Sequence, residues 1–292
     1  MTNQRKPTLP SPGRRWWLPL LSVFLVASWT PLPKSSEAAG LQDARHKARQ
    51  VLSAAIEAMG GDRYLGVKTE YVVGRDFFFA KDRRSGLVPF QQWTHYQDPV
   101  RHRYQTRKGK RQTLEVYNLG LDKGWIQEGL YSIEEMPKEQ VERFKLTVKH
   151  DLHYLLRNRL DEEGLSLFYY GPNDIAGSGE LEAVEVIDKT NDAVTLYFDM
   201  ETHLPVHTEN YFTDKMGIRH ESRTEFFNWH EQDGVLTPLS FHSFEDGEKS
   251  GERFFEELMY NTQFPPEYFL EPQLTPKQAK KVEKEKNKKK QD

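Results

Sequence analysis

The 292-residue chain contains no cysteine. That excludes a disulfide framework, a zinc-cysteine site, a cysteine nucleophile and a lipid-modified N-terminal cysteine. The sequence also lacks a G-x-S-x-G nucleophile elbow, an H-E-x-x-H pair and a glycine-rich loop that follows a strand and opens a helix. No stretch of linker composition interrupts residues 60–270. Hydrophobic residues are a lean 37%, yet 17 Phe, 13 Tyr and 6 Trp are too many bulky rings for a disordered chain.

What is present is unevenly charged. Residues 1–38 carry Arg5, Lys6, Arg14, Arg15 and Lys34 against Glu37, a net of +4. Residues 273–292 carry eight lysines against Glu283, Glu285 and Asp292, a net of +5. With a total of -3, the body 39–272 holds -12. Such a body argues against nucleic acid as a partner, because that footprint needs clustered Lys and Arg.

The first 38 residues read as a signal peptide. Arg14-Arg15 close a basic segment, Leu18–Trp29 is apolar, and Ser36-Glu37-Ala38 offers small residues for cleavage. Twelve apolar residues as a helix span about 18 Å, short of a hydrocarbon core of about 30 Å. An uncleaved anchor extended by Trp16-Trp17 is the alternative, and Gly13–Leu18 faintly suggests a twin-arginine signal. The expected location is periplasmic or otherwise extracytoplasmic, soluble after cleavage. The lysine-rich tail 273–292 reads as a disordered, solvated segment, with transient contact to a membrane or an envelope protein as the sharper reading.

In the body, Asp43 is placed to cap a helix ending near Met59, with Val51, Leu52, Ala55 and Ile56 on one face and Gly60-Gly61 as its stop. A second helix is expected from Pro137 to about Leu160, with Val141, Phe144, Leu146, Val148, Leu152, Leu155 and Leu156 apolar. Elsewhere the hydrophobic period is two. Tyr71, Val73, Phe77 and Phe79 share one parity of a long strand, interrupted by Arg75. Strand-like runs follow at 90–96, 100–106, 113–118, 123–133, 165–170, 181–188, 193–199, 205–213, 218–229, 236–244 and 252–261, separated by turn residues such as Asp233-Gly234 and Asp246-Gly247. The expectation is one mainly β domain of the α+β class over 39–272, an antiparallel meander or barrel of about eleven strands with two helices. An apolar sheet face that two helices only partly cover leaves a groove.

The segment Val194-Thr-Leu-Tyr-Phe-Asp199 followed by Thr202-His-Leu-Pro-Val206 resembles a strand, acidic turn and L-P-V re-entry found in periplasmic lipoprotein carriers, the LolA/LolB-like proteins and their outer-membrane lipoprotein-sorting relatives. Tyr260-Asn261-Thr262 and Pro265-Pro-Glu-Tyr-Phe269 are similar to that family's closing segment. The resemblance covers roughly 41–272. It implies an open half-barrel with helices across its concave face and acyl chains bound between. It departs from the anchored receptor branch, since there is no cysteine to acylate.

The expected function is therefore an exported monomeric carrier that binds the acyl chains of a lipid or lipoprotein. A greasy groove suffices without catalysis, because each buried methylene is worth about 0.8 kcal/mol. The candidate lining is the strands' apolar parity: Phe77, Phe79, Trp93, Leu114, Val116, Leu196, Phe198 and Phe241. The alternative is an envelope sensor or regulatory module that uses the same fold to bind a protein. A third reading, a metal-dependent hydrolase on His150 and His153 (i, i+3), lacks a complete ligand set. No cofactor, metal or catalytic residue is expected, and the chain is read as a binding protein rather than an enzyme.

Overall fold

The computed structural model describes residues 35–80, 83–84, 86–97, 99–108, 111–129, 132–174, 180–276, 278–280 and 282. The expected signal peptide, up to residue 34, and the end of the lysine-rich tail, 283–292, lie outside these residues.

The chain opens with helix α1 (Ser35–Ala58), so its start lies upstream of the expected cap at Asp43. Ala48, Val51, Leu52, Ala55 and Met59 form its buried stripe. Its stop is glycine chemistry: Gly61 N–H donates to Ile56 O at 2.9 Å, and Gly60 and Gly61 both take positive φ. A Cβ on Gly60 would come within 2.4 Å of Gly234 O, so the helix end is pressed onto a β-hairpin that tolerates no side chain there. A single turn, α2 (Asp62–Leu65), follows.

The strands form one antiparallel sheet. They are β1 (Thr69–Ala80), β2 (Arg83–Arg84), β3 (Val88–His95), β4 (Arg101–Lys108), β5 (Arg111–Asn118), β6 (Lys123–Glu128), β7 (Ser132–Glu135), β8 (Ser166–Asp174), β9 (Glu180–Ile187), β10 (Ala193–Asp199), β11 (Pro205–Thr213), β12 (Arg219–Gln232), β13 (Val235–Glu245) and β14 (Glu248–Tyr260). The spatial order is β7-β6-β5-β4-β3-β1-β14-β13-β12-β11-β10-β9-β8, with β2 paired to β1 alone. The chain thus starts in the middle of the sheet, walks by hairpins to the β7 edge, crosses to the β8 edge, and walks back until β14 pairs with β1. The first and last strands are zipped together, with Tyr71 opposite Met259, which makes 69–260 one unit. The sheet does not close, since β7 and β8 do not pair.

The half-barrel expectation holds, with thirteen strands in the path rather than about eleven. The excess has a local cause. Gly129, at φ 65°, splits the expected 123–133 run into β6 and β7. β8 runs past the end of the expected 165–170 strand to Asp174, taking Gly171 as a register shift, which lengthens it without adding a strand. The turns Asp233-Gly234 and Asp246-Gly247 have positive φ at both residues, which suits the twist of two-residue hairpins.

The crossing segment is not the single helix expected over 137–160. Helix α3 (Lys138–His150) ends where Asp151 turns extended (ψ 127°). Asp151 then caps α4 (Leu152–Tyr154), its Oδ1 accepting Tyr154 N–H at 2.7 Å, and a π-turn carries the chain through Leu155–Arg159. Val141 and Phe144 of α3 pack with Tyr117 and Met136 near the β7 edge. At the other end Lys149 reaches Asp192 Oδ2 at 2.7 Å, in the β9–β10 turn. Helix α3 therefore bridges the two open edges. Leu146, expected on its apolar side, is 44% exposed.

Helices α1 and α4 cover one half of the same sheet face. Their stripe meets Leu167, Val184, Val186, Val194, Leu196 and Phe198 of β8–β10. Each fully buried Leu or Val side chain contributes on the order of 2 kcal/mol, so this is the main core. The helix-bearing face is hereafter the inner face. The outer face of β3–β6 is covered by the C-terminal segment, where Trp93 meets Tyr268 and Asn118 Nδ2 donates to Phe269 O at 3.1 Å.

Candidate functional site

Between α3 and the middle of the inner face lies a cavity of about 1960 Å³. Its floor is supplied by the central strands, whose alternation brings one parity of each to the same side: Glu70 and Asp76 of β1, Gln92 of β3 with Tyr96 just past its end, Arg253 and Phe255 of β14, Phe241 of β13, and Phe226 of β12. Three rings form a wall, with Phe241 at 6.0 Å from Phe226 and 4.8 Å from Phe255 between centroids.

The rest of the floor is charged and hydrogen-bonded. Arg253 grips Asp76 in bidentate fashion (Nε to Oδ1 2.8 Å, Nη2 to Oδ2 2.9 Å), and its Nη1 donates to Gln92 Oε1 at 3.3 Å. Tyr104 also donates to Asp76. The guanidinium lies 4.6 Å above the Phe90 ring. Asp76 is 2% exposed, while the Arg253 side chain keeps 35% of its surface open. This is a buried anion held by a cation that still faces the cavity.

A second cluster sits beside the first. The guanidinium of Arg157, on the π-turn, lies 4.3 Å from the Tyr64 ring and 5.3 Å from the Tyr96 ring. Its Nε donates to Tyr64 O at 3.0 Å. Glu70 is buried beside Tyr96, and burial pushes its carboxyl up to about 7 despite the pull of Arg157. His153 shares a 3.1 Å hydrogen bond with the Tyr64 hydroxyl, and burial holds its imidazole well below its usual range. Burial and the neighbouring Arg253 likewise lower His102 to about 3.

The residues expected to line a groove divide between the faces. Leu196 and Phe198 are on the inner face but fully buried beneath the helices, and Phe241 stands on the cavity wall. Phe77 belongs to the outer parity, edge-on to Phe254 and under Arg84 at 3.7 Å, and reaches the cavity only at its rim. Phe79 is beneath Lys249, at 5.7 Å. Trp93, Leu114 and Val116 face outward, Trp93 against Tyr71 and Tyr268, the other two against Trp125. Alternation tells which side chains share a face, not which face the helices take. Here apolar side chains stand on both faces of β3–β6, Phe90 and Tyr117 inward and Trp93, Leu114 and Val116 outward, because each face has cover of its own.

Phe226, Phe255, Glu70, Asp76 and Arg253 were not singled out by the sequence. Their one signal was a charge within an aromatic strand, as in Arg75-Asp76-Phe77, and it acquires meaning only when β14 pairs with β1 and sets Arg253 opposite Asp76. His150 and His153 do not converge. The break at Asp151 sends His150 Nε2 to Asp192 at 2.9 Å and His153 to Tyr64. Among the described residues no group of three or more His, Asp or Glu side chains is arranged to hold a metal ion.

No family model matches the chain, and no curated protein sequence matches it. Solved structures do. A DUF1329 family protein from Desulfovibrio piger superposes with a TM-score of 0.51 at 12% identity, covering 78% of this chain and 99% of that one. An outer-membrane lipoprotein-sorting protein domain from Vibrio parahaemolyticus gives 0.48 at 13%, covering 76% and 97%. A LolA superfamily protein from Nitrosomonas europaea gives 0.42 at 10%, covering 76% and 97%. At these identities the likeness is one of fold. The structural neighbours include the group that the 194–206 and 260–269 segments resemble.

Proposed function

We propose that this chain is an extracytoplasmic carrier that holds the acyl chains of a lipid or lipoprotein in the inner-face cavity and works by binding, without a catalytic step. The observation that carries the reading is the cavity itself. At about 1960 Å³ it has about twice the upper volume of ordinary small-molecule pockets, and it is walled by Phe226, Phe241 and Phe255. The shared fold supports the reading. The polar floor refines it: a bare hydrocarbon would strip water from the open part of the Arg253 guanidinium without returning hydrogen bonds, so the fitting ligand is amphipathic. Its chains lie along the ring wall and its polar group meets Arg253.

Native mass spectrometry of the exported chain, before and after incubation with lipid extract, tests this. The expected result is a stoichiometric acyl-containing adduct, weakened by about tenfold or more in Phe241→Asp, which puts a charge on the apolar wall. A chain that stays free of lipid after incubation would overturn the reading.

A further inference from the structure

The hairpin joining β11 to β12 carries large apolar side chains into solvent, where a turn would ordinarily be polar. Met216 is 80% exposed, Ile218 51%, Tyr211 46% and Phe212 37%. The turn that holds them out is well made. Asp214 Oδ1 accepts the backbone N–H groups of Met216 and Ile218, each at 2.8 Å, and Gly217 takes the positive φ (81°) that the turn needs. Exposure of Met216 and Ile218 is thus built in.

The tip carries two cations without an ion-pair partner among the described residues, while its nearest acids, Asp214 and Asp246, are both engaged by His220. The Asp214 carboxylate is engaged by its own turn and by His220 Nε2 at 3.4 Å. Lys215 and Arg219 are exposed, and neither joins an ion pair among the described residues. Arg219 lies flat over the Tyr211 ring at 3.9 Å, which keeps the cation beside the apolar side chains. A cationic, apolar tip therefore projects from a body of net charge -12. The net charge of the body repels an anionic surface, while Lys215 and Arg219 supply local attraction at this tip.

The tip is also the mouth of the cavity, which Tyr211, Phe212, Met216 and Arg219 line together with Phe78 of β1, itself 52% exposed. We propose that the β11–β12 hairpin docks on an anionic lipid bilayer, with Met216 and Ile218 entering the interface, Tyr211 at headgroup level and Lys215 and Arg219 on the lipid phosphates. The mouth then faces the membrane. Docking needs only the tip and does not depend on what the cavity holds.

Sedimentation of the full chain with vesicles of phosphatidylcholine alone, or mixed with phosphatidylglycerol, tests the proposal. Binding is expected only to the mixed vesicles, and should weaken as salt is raised. The double variant Met216→Asp/Ile218→Asp should lose it by about a hundredfold, since two side chains that enter the interface on docking are replaced by charges. Both positions are exposed, so the variant's melting curve should match the parent's. Because the chain has no cysteine, Met216→Cys gives a single labelling site, and a polarity-sensitive dye there should shift to the blue on mixed vesicles. Equal binding by parent and double variant would overturn the proposal and leave another surface responsible. Absence of vesicle binding by the parent would overturn it too, leaving the tip to a protein partner. The carrier reading fails by a different readout, the lipid-free mass of the parent chain.

Discussion

At the scale of single residues, the inner face contains charges whose protonation is tied to folding. Glu70 is 4% exposed, and its carboxyl moves from 4.5 to about 7 because burial disfavours the anion. Asp151, itself raised by burial, adds to the shift, while Arg157, Tyr96 and Arg253 oppose it. A carboxyl with a raised folded value contributes its full stability below the unfolded value, and loses that contribution as pH climbs through the folded one. The parent should therefore lose about 3 kcal/mol relative to Glu70→Gln between pH 4.5 and pH 8. Urea melts of both proteins at the two pH values give the difference directly. A constant gap would mean that Glu70 is ionised with no burial cost.

At the scale of elements, the feature that shapes the site is the break between α3 and α4. A continuous helix would have laid Leu146 through Leu156 along one stripe. The extended Asp151 instead redirects the chain, so that α3 roofs the cavity while α4 and the π-turn dive into the core and deliver Arg157 to Tyr64 and Tyr96. π-turns of this kind recur at functional positions. Asp151→Ala removes the cap on Tyr154 N–H and should cost about 1 kcal/mol of stability. If α3 and α4 fuse as a result, the 64–157 cluster loosens and the rise in far-ultraviolet helicity will accompany weaker lipid binding. Unchanged helicity, stability and binding would show that packing alone sets the break.

For the whole molecule, the pairing of β14 with β1 places the two ends of the domain at the middle of the sheet and leaves β7 and β8 as its edges. β8 is blanketed by α1, whereas β7 is a four-residue strand paired on one side only. Amide hydrogen exchange should accordingly be fastest in β7 and slowest in β1, β13 and β14, the last strands to open. Uniform protection across the sheet would contradict that order. A half-barrel that stays open needs something across its gap, and α3 does this with ring contacts at one end and the Lys149 ion pair at the other. That is the element which must shift for a bulky ligand to enter from the side.

Much of this architecture was legible in the chain itself, for reasons of local chemistry. The period-two runs, the D-G hairpins and the paired glycines after α1 each dictate a backbone shape within a few residues. That was enough for a mainly β, antiparallel protein with amphipathic helices. Three things were not local. Which parity of each strand faces the helices depends on where α1 and α3 land. For β3–β6 the C-terminal segment covers the other side, so Trp93, Leu114 and Val116 are as apolar as any inner residue. Whether 137–160 is one helix or two was decided by Asp151 finding a cap and by Arg157 finding a nest of rings. And Asp76 with Arg253, 177 residues apart, became a pair only because the last strand returned to the first. Periodicity wrote the strands; long-range pairing, which no window of sequence contains, chose the inside.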